Sequence, residues 1–147
     1  MTDIERIIWG GIAGVSIYVV GQLLSKLIIE PLYNLKVVLA ETQFNLSFHA
    51  PTIHTPTGRT AEKSGEACKA LVASSSDLIS KVYAVPCYPV FRYLAFGALP
   101  KKKSIIKASI DLRGLSTHLH EEGNSNIDVV NRRVLSIRRN LRLNSIE

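Results

Sequence analysis

Between Ile7 and Ser25 the chain carries no charged side chain, although one residue in five overall is Asp, Glu, Lys or Arg. Within IIWGGIAGVSIYVVGQLLS the polar groups are limited to Ser16, Gln22, Ser25 and the Tyr18 hydroxyl. Cysteine is scarce as well. Cys68 and Cys87 are too few and too irregularly placed for a disulfide framework and suit a reducing compartment. The four histidines, His49, His54, His118 and His120, come with no Cys-x-x-Cys or His-x-x-x-His spacing, so no zinc site is expected. His118 and His120 are two apart on a predicted helix and lie on different faces. Neither a phosphate-cradling glycine loop nor a nucleophile elbow is present. Glu121 and Glu122 read as a solvated helix end, and Cys68 as an inert residue of an apolar seam. These absences predict a protein that is not an enzyme, with no catalytic residue, metal or cofactor.

The uncharged run has the dimensions of a membrane span. At about 1.5 Å per residue its length is roughly 28 Å, close to the ~30 Å hydrocarbon core of a bilayer. A cleaved signal peptide should open on a basic segment and close on small residues. Here MTDIER carries two acids and one arginine, and the run closes on SKLIIEP, so retention as an anchor is expected. Trp9 and Tyr33 suit the two interfaces, and Lys26 and Glu30 are spaced to pair one turn apart. Arg6 is the one basic residue ahead of the span, and the rest of the 18 Lys and Arg follow it. The positive-inside rule then places the N-terminus outside and the remainder in the cytoplasm, as a single-pass membrane protein.

The residues beyond the span suffice for one compact domain. Leu32–Thr42 holds good helix formers after Pro31, which predicts a kinked continuation. Phe44–Phe48 alternates and is ambiguous, and 50–59, with two prolines and a glycine, reads as a loop. A helix is expected from Thr60 to about Val85, with Cys68, Leu71, Ser75, Leu78 and Val82 on its seam and Val72 and Ile79 widening the stripe; Pro86 ends it. Cys87–Pro100 reads as an aromatic connector. A further helix opens at Pro100 and runs to about His120, on the seam Ile105, Ala108, Leu112, Leu115 and Leu119. After a turn at Gly123-Asn124, with Ser125 or Asn126 as N-cap, a last helix carries the seam Ile127, Val130, Val134, Ile137 and Leu141. The predicted fold is all-α: a transmembrane helix in 1–30, then a cytosolic antiparallel helical bundle in 31–147.

Two sets of residues are candidates for function. Gly10, Gly14, Gly21 and Ser25 place small side chains on one face of the membrane helix, which lets helix backbones approach closely. Gln22 adds a polar amide that prefers an interhelical partner or water, and Tyr18, Gln22 and Ser25 are candidate pore-lining groups. A single span encloses no pore, so conduction requires a homo-oligomer. The second set is basic, in a chain of net charge +6. Lys101, Lys102 and Lys103 sit in a predicted first helical turn with Lys107 one turn later, where lysines and free N–H groups together favour an anion. Arg132, Arg133, Arg138, Arg139 and Arg142 flank the last seam; a solvated face explains them equally well. Tyr88, Phe91, Tyr93 and Phe96 precede the lysines. They fit core packing, a headgroup layer over anionic lipid, or a stacking surface for single-stranded nucleic acid.

The layout of IIWGGIAGVSIYVVGQLLS followed by a basic helical domain ending in NRRVLSIRRNLRL resembles the membrane effector, a toxin, of Hailong-type bacterial anti-phage defence systems. That resemblance implies a homo-tetrameric ion channel whose opening depolarises the inner membrane. It also implies a single-stranded DNA oligomer, made by a partner nucleotidyltransferase, that binds and restrains the toxin. The alternative from another class is a membrane-tethered, non-conducting adaptor whose helical domain binds a protein partner or anionic lipid.

Overall fold

The computed structural model describes residues 2–55, 60–94, 99–120 and 127–143, and every element among them is helical. Helix α1 spans Asp3–Leu24. Its start is fixed by the Glu5 carboxylate, which accepts the Thr2 backbone N–H at 2.9 Å and satisfies one of the free donors of a helix N-terminus. A five-residue π-helical segment, Ser25–Ile29, follows, and then α2, Glu30–Phe48. Pro31 supplies no N–H, and its ring would press on the carbonyl one turn back. The widened turn ahead of it, in which the Glu30 N–H reaches the Ser25 carbonyl, absorbs that conflict, so the helix runs on through the proline. Altogether it is continuous from Asp3 to Phe48, 46 residues, or about 69 Å. The ambiguous Phe44–Phe48 segment is therefore helical.

The expected loop over 50–59 needs correcting in its first half. Ala50–His54 forms a short helix, α3, which tolerates Pro51 because a proline in the first helical turn gives up an N–H that has no partner there anyway. Its Ile53 is buried. Residues 56–59 lie outside the described residues, as do the predicted turn at 123–124 and its N-cap.

Helix α4 spans Ala61–Ala84, with Thr60 as N-cap accepting the Lys63 N–H at 3.4 Å. Val85 is extended, as residues before proline are, and Cys87 adopts φ 48° to turn the chain. The connector predicted over Cys87–Pro100 also needs correcting, because Tyr88–Leu94 form helix α5. Then come α6, Lys102–His120, and α7, Ile127–Leu141.

Helix α4 packs on both α2 and α6, and α6 packs on α7, around one apolar core that includes Leu35, Leu71, Leu78, Ile105, Leu112, Leu115 and Ile137. Cross-helix hydrogen bonds fix the register. Asn45 Nδ2 donates to Ser74 Oγ at 2.9 Å, Ser75 Oγ donates to the Ser109 carbonyl at 2.9 Å, and Ser64 Oγ to the Leu119 carbonyl at 2.6 Å. Pairing 64 with 119 and 75 with 109 means that α4 and α6 run in opposite directions. The buried Thr42, Ser74, Ser75, Ser109 and Ser116 are small enough for close helix approach. No buried side-chain polar atom among the described residues lacks a partner.

The α6 seam is buried as anticipated at all five positions, and the α7 seam at Val130, Val134, Ile137 and Leu141. Ile127, at the first turn of α7, is exposed instead. On α4 the seam passes through Ala67, which is fully buried, rather than Cys68, which is half-buried; Val72 faces outward.

Candidate functional site

Helix α1 takes no part in that core. None of its residues is buried, although Ile7, Trp9, Val15, Ile17 and Leu23 are large apolar side chains. Among the described residues it is the one stretch long and apolar enough to cross a membrane. In water, so large an uncovered apolar surface would be strongly unfavourable at roughly 25 cal/mol per Å².

Successive residues advance about 100° around a helix, so the candidate positions on α1, with Ser25 directly after it, share one side. Gly10, Gly21, Gly14, Ser25, Tyr18 and Gln22, in that order around the axis, fit within an arc of roughly 120°. The other polar residue, Ser16, lies on the opposite side and donates its hydroxyl to the Ile12 carbonyl at 2.8 Å. Nothing stands within 4 Å of where a Cβ would lie at Gly10, Gly14 or Gly21. Gln22 Nε2 donates to the Tyr18 hydroxyl at 3.1 Å. That contact lowers the cost of carrying both groups on an apolar helix and uses only the amide N–H of Gln22, not its carbonyl.

The basic residues fall into two places. Lys102 extends over the Tyr83 ring, with its Nζ 3.9 Å from the centroid, in a cation–π contact that ties the end of α4 to the start of α6. Lys101 and Lys103 are exposed beside it. Lys107 belongs elsewhere. Together with Arg132, Arg138, Arg139 and Arg142 it lines an open cleft of about 610 Å³ between α6 and α7, over Leu135 and Leu143. On α7, Arg132, Leu135 and Arg139 recur at helical spacings of three and four beside the buried seam, and Arg142 follows just past the helix end, where its φ of 55° turns the chain. Ser136 also lines the cleft; it donates to Asp111 Oδ2 at 2.6 Å and accepts from Asn140 Nδ2 at 3.1 Å. Among the described residues no carboxylate lies within ion-pair reach of Lys107, Arg138 or Arg139. Arg133 is not a cleft residue: its guanidinium lies across Gly114 of α6.

The aromatic residues also separate. Tyr88 is buried and donates its hydroxyl to the Pro100 carbonyl at 2.7 Å. Burial pushes its phenol above the ordinary value, with the nearby Arg92 guanidinium acting in the opposite direction. Phe91 packs against the core, whereas Tyr93 is 87% exposed. Phe96 lies outside the described residues. The exposed Phe44–Phe48 stack on α2, with ring centroids 5.6 Å apart, is a feature that the ambiguous reading of 44–48 misses; the i, i+4 spacing of the two rings is the signal for it once the segment is helical. Among the described residues, no group of three or more His, Cys, Asp or Glu side chains converges as metal ligands would. No protein-family model, curated protein or solved structure matches the chain.

Proposed function

We propose that this protein is a membrane-anchored homo-oligomeric effector, an ion-channel-forming toxin of bacterial anti-phage defence. In this reading α1 crosses the inner membrane with its N-terminus outside, and α2, α4, α6 and α7 form a cytosolic antiparallel bundle beneath it. The observation that carries the reading is the wholly uncovered apolar helix, continuous with α2 of a basic helical body. Apolar surface on every side suits a lipid-embedded helix, and the one arc bearing glycine and polar groups suits contact with further copies. A ring of such arcs would bring Tyr18, Gln22 and Ser25 toward a shared axis, where they would favour water and ions over lipid.

Regulation would act through the α6–α7 cleft. Its five cationic side chains suit an anionic ligand with several phosphates, such as a single-stranded DNA oligomer supplied by a partner nucleotidyltransferase. Such a ligand restrains the channel only if it binds the closed assembly more tightly than the open one. The test is membrane potential, read with a voltage-sensitive dye in bacteria expressing the chain. The wild-type chain should depolarise them and Gly21→Leu should not. Unchanged potential with wild-type protein in the membrane would contradict the channel.

A second reading, a non-conducting tethered adaptor, is favoured by the exposed Phe44–Phe48 stack, which offers a protein partner an aromatic anchor. It expects Gly14→Leu and Gly21→Leu to leave function intact.

A further inference from the structure

A second crevice lies where α1 gives way to α2, with a volume of about 400 Å³. One side comes from the π-helical segment and the first turns of α2, through Lys26, Leu27, Glu30 and Asn34; the other comes from the end of α4, through Lys81 and Pro86. Two lysines distant in sequence thus meet at the level where the uncharged run ends. Lys26 and Glu30, four apart on this wall, do not form an ion pair. The crevice therefore has a net single positive charge, with two cationic donors, a carboxylate acceptor and an amide.

The surroundings point the same way. Helix α4 ends here, and the cation–π contact of Lys102 with the exposed Tyr83 holds the start of α6 beside it, so an aromatic ring and the lysines at 101–103 lie at this end of the body. Aromatic rings and lysines bordering an apolar helix form the pattern of a surface resting at headgroup depth.

We propose that the crevice formed by Lys26, Lys81, Glu30 and Asn34 is a docking site for an anionic phospholipid with a hydroxyl-bearing headgroup. Lys26 and Lys81 take the phosphodiester, Glu30 and Asn34 take the hydroxyls, and Leu27 and Pro86 face the glycerol backbone. Lipid held there would brace the body against the foot of α1. The proposal rests on the membrane reading of α1 and is independent of conduction.

The test uses the full chain in nanodiscs of phosphatidylcholine doped equally with phosphatidylglycerol and phosphatidylethanolamine, with retained lipids counted by native mass spectrometry. Wild-type protein should retain phosphatidylglycerol over both other lipids. Lys26→Gln with Lys81→Gln should reduce that enrichment by about fivefold per lysine removed, and Lys→Arg at both positions should preserve it. Lys63→Gln with Lys69→Gln, on α4 away from the crevice, should leave it unchanged. Equal retention of phosphatidylglycerol by wild type and the double glutamine variant would overturn the site. So would equal retention of phosphatidylglycerol and phosphatidylethanolamine, or displacement by free glycerol phosphate, which would assign the crevice to a soluble ligand. Failure of wild-type protein to enter nanodiscs would overturn the membrane reading and this proposal together.

Discussion

The guanidinium of Arg133 on α7 occupies the space that a side chain at Gly114 of α6 would fill, with its Cζ 2.6 Å from the position of that Cβ. The contact explains why one arginine of the α7 set is absent from the cleft, and it makes the two helices sensitive to volume at one point. Gly114→Ala should shift stability by no more than about 0.5 kcal/mol, because alanine's gain of about 1 kcal/mol in helix propensity offsets the displaced arginine contacts. Gly114→Leu should cost about 1–3 kcal/mol by wedging the helices apart. Thermal unfolding of the detergent-solubilised chain checks the order.

The two sides of α4 should respond differently to truncation. Leu71 is fully buried, whereas Val72 is 41% exposed. Leu71→Ala should cost about 2–5 kcal/mol, and Val72→Ala should stay within about 0.5 kcal/mol. Denaturant titration of both variants distinguishes this phase of the helix from one rotated to bury Val72.

Much of this architecture is legible in the sequence. The strict three-four spacing of Ile105, Ala108, Leu112, Leu115 and Leu119 specifies an amphipathic helix, and these residues are buried. Helices α3 and α5 are harder to read, since each is short and has a proline in its first turn. On α4 the register is set by what α2 needs: Asn45 reaches Ser74, and Ala67 rather than Cys68 faces the core. The candidate site is only half visible from sequence, because joining Lys107 to the α7 arginines requires the packing of α6 on α7, which local periodicity does not encode. Lys102 likewise finds its aromatic partner Tyr83 on another helix.

Tyr88 gives the fold an alkaline limit. Its folded phenol ionises at higher pH than in the unfolded chain because burial disfavours the phenolate. The associated stability is fully present below about pH 10, the ordinary tyrosine value, and is lost as pH rises through the folded pKa. Tyr88→Phe should weaken that alkaline loss and, by removing the hydrogen bond to the Pro100 carbonyl, cost about 1 kcal/mol at neutral pH. Stability profiles of both proteins from pH 7 to 11 test this.

The cleft predicts salt-dependent binding of single-stranded DNA. Log affinity against log salt should fall with a slope of about −0.7 per phosphate contacted. Lys107→Gln with Arg138→Gln and Arg139→Gln should weaken binding and flatten that slope, whereas Lys101→Gln with Lys103→Gln should change it less. Equal losses from both sets would move the site to the start of α6.

Assembly of several copies of this chain through α1 would set the mass of the particle extracted by detergent. Light scattering corrected for bound detergent should give a protein mass several times the 16.2 kDa of one chain, falling toward one chain for Gly21→Leu. A wild-type particle with the mass of a single chain would rule out a pore built from α1.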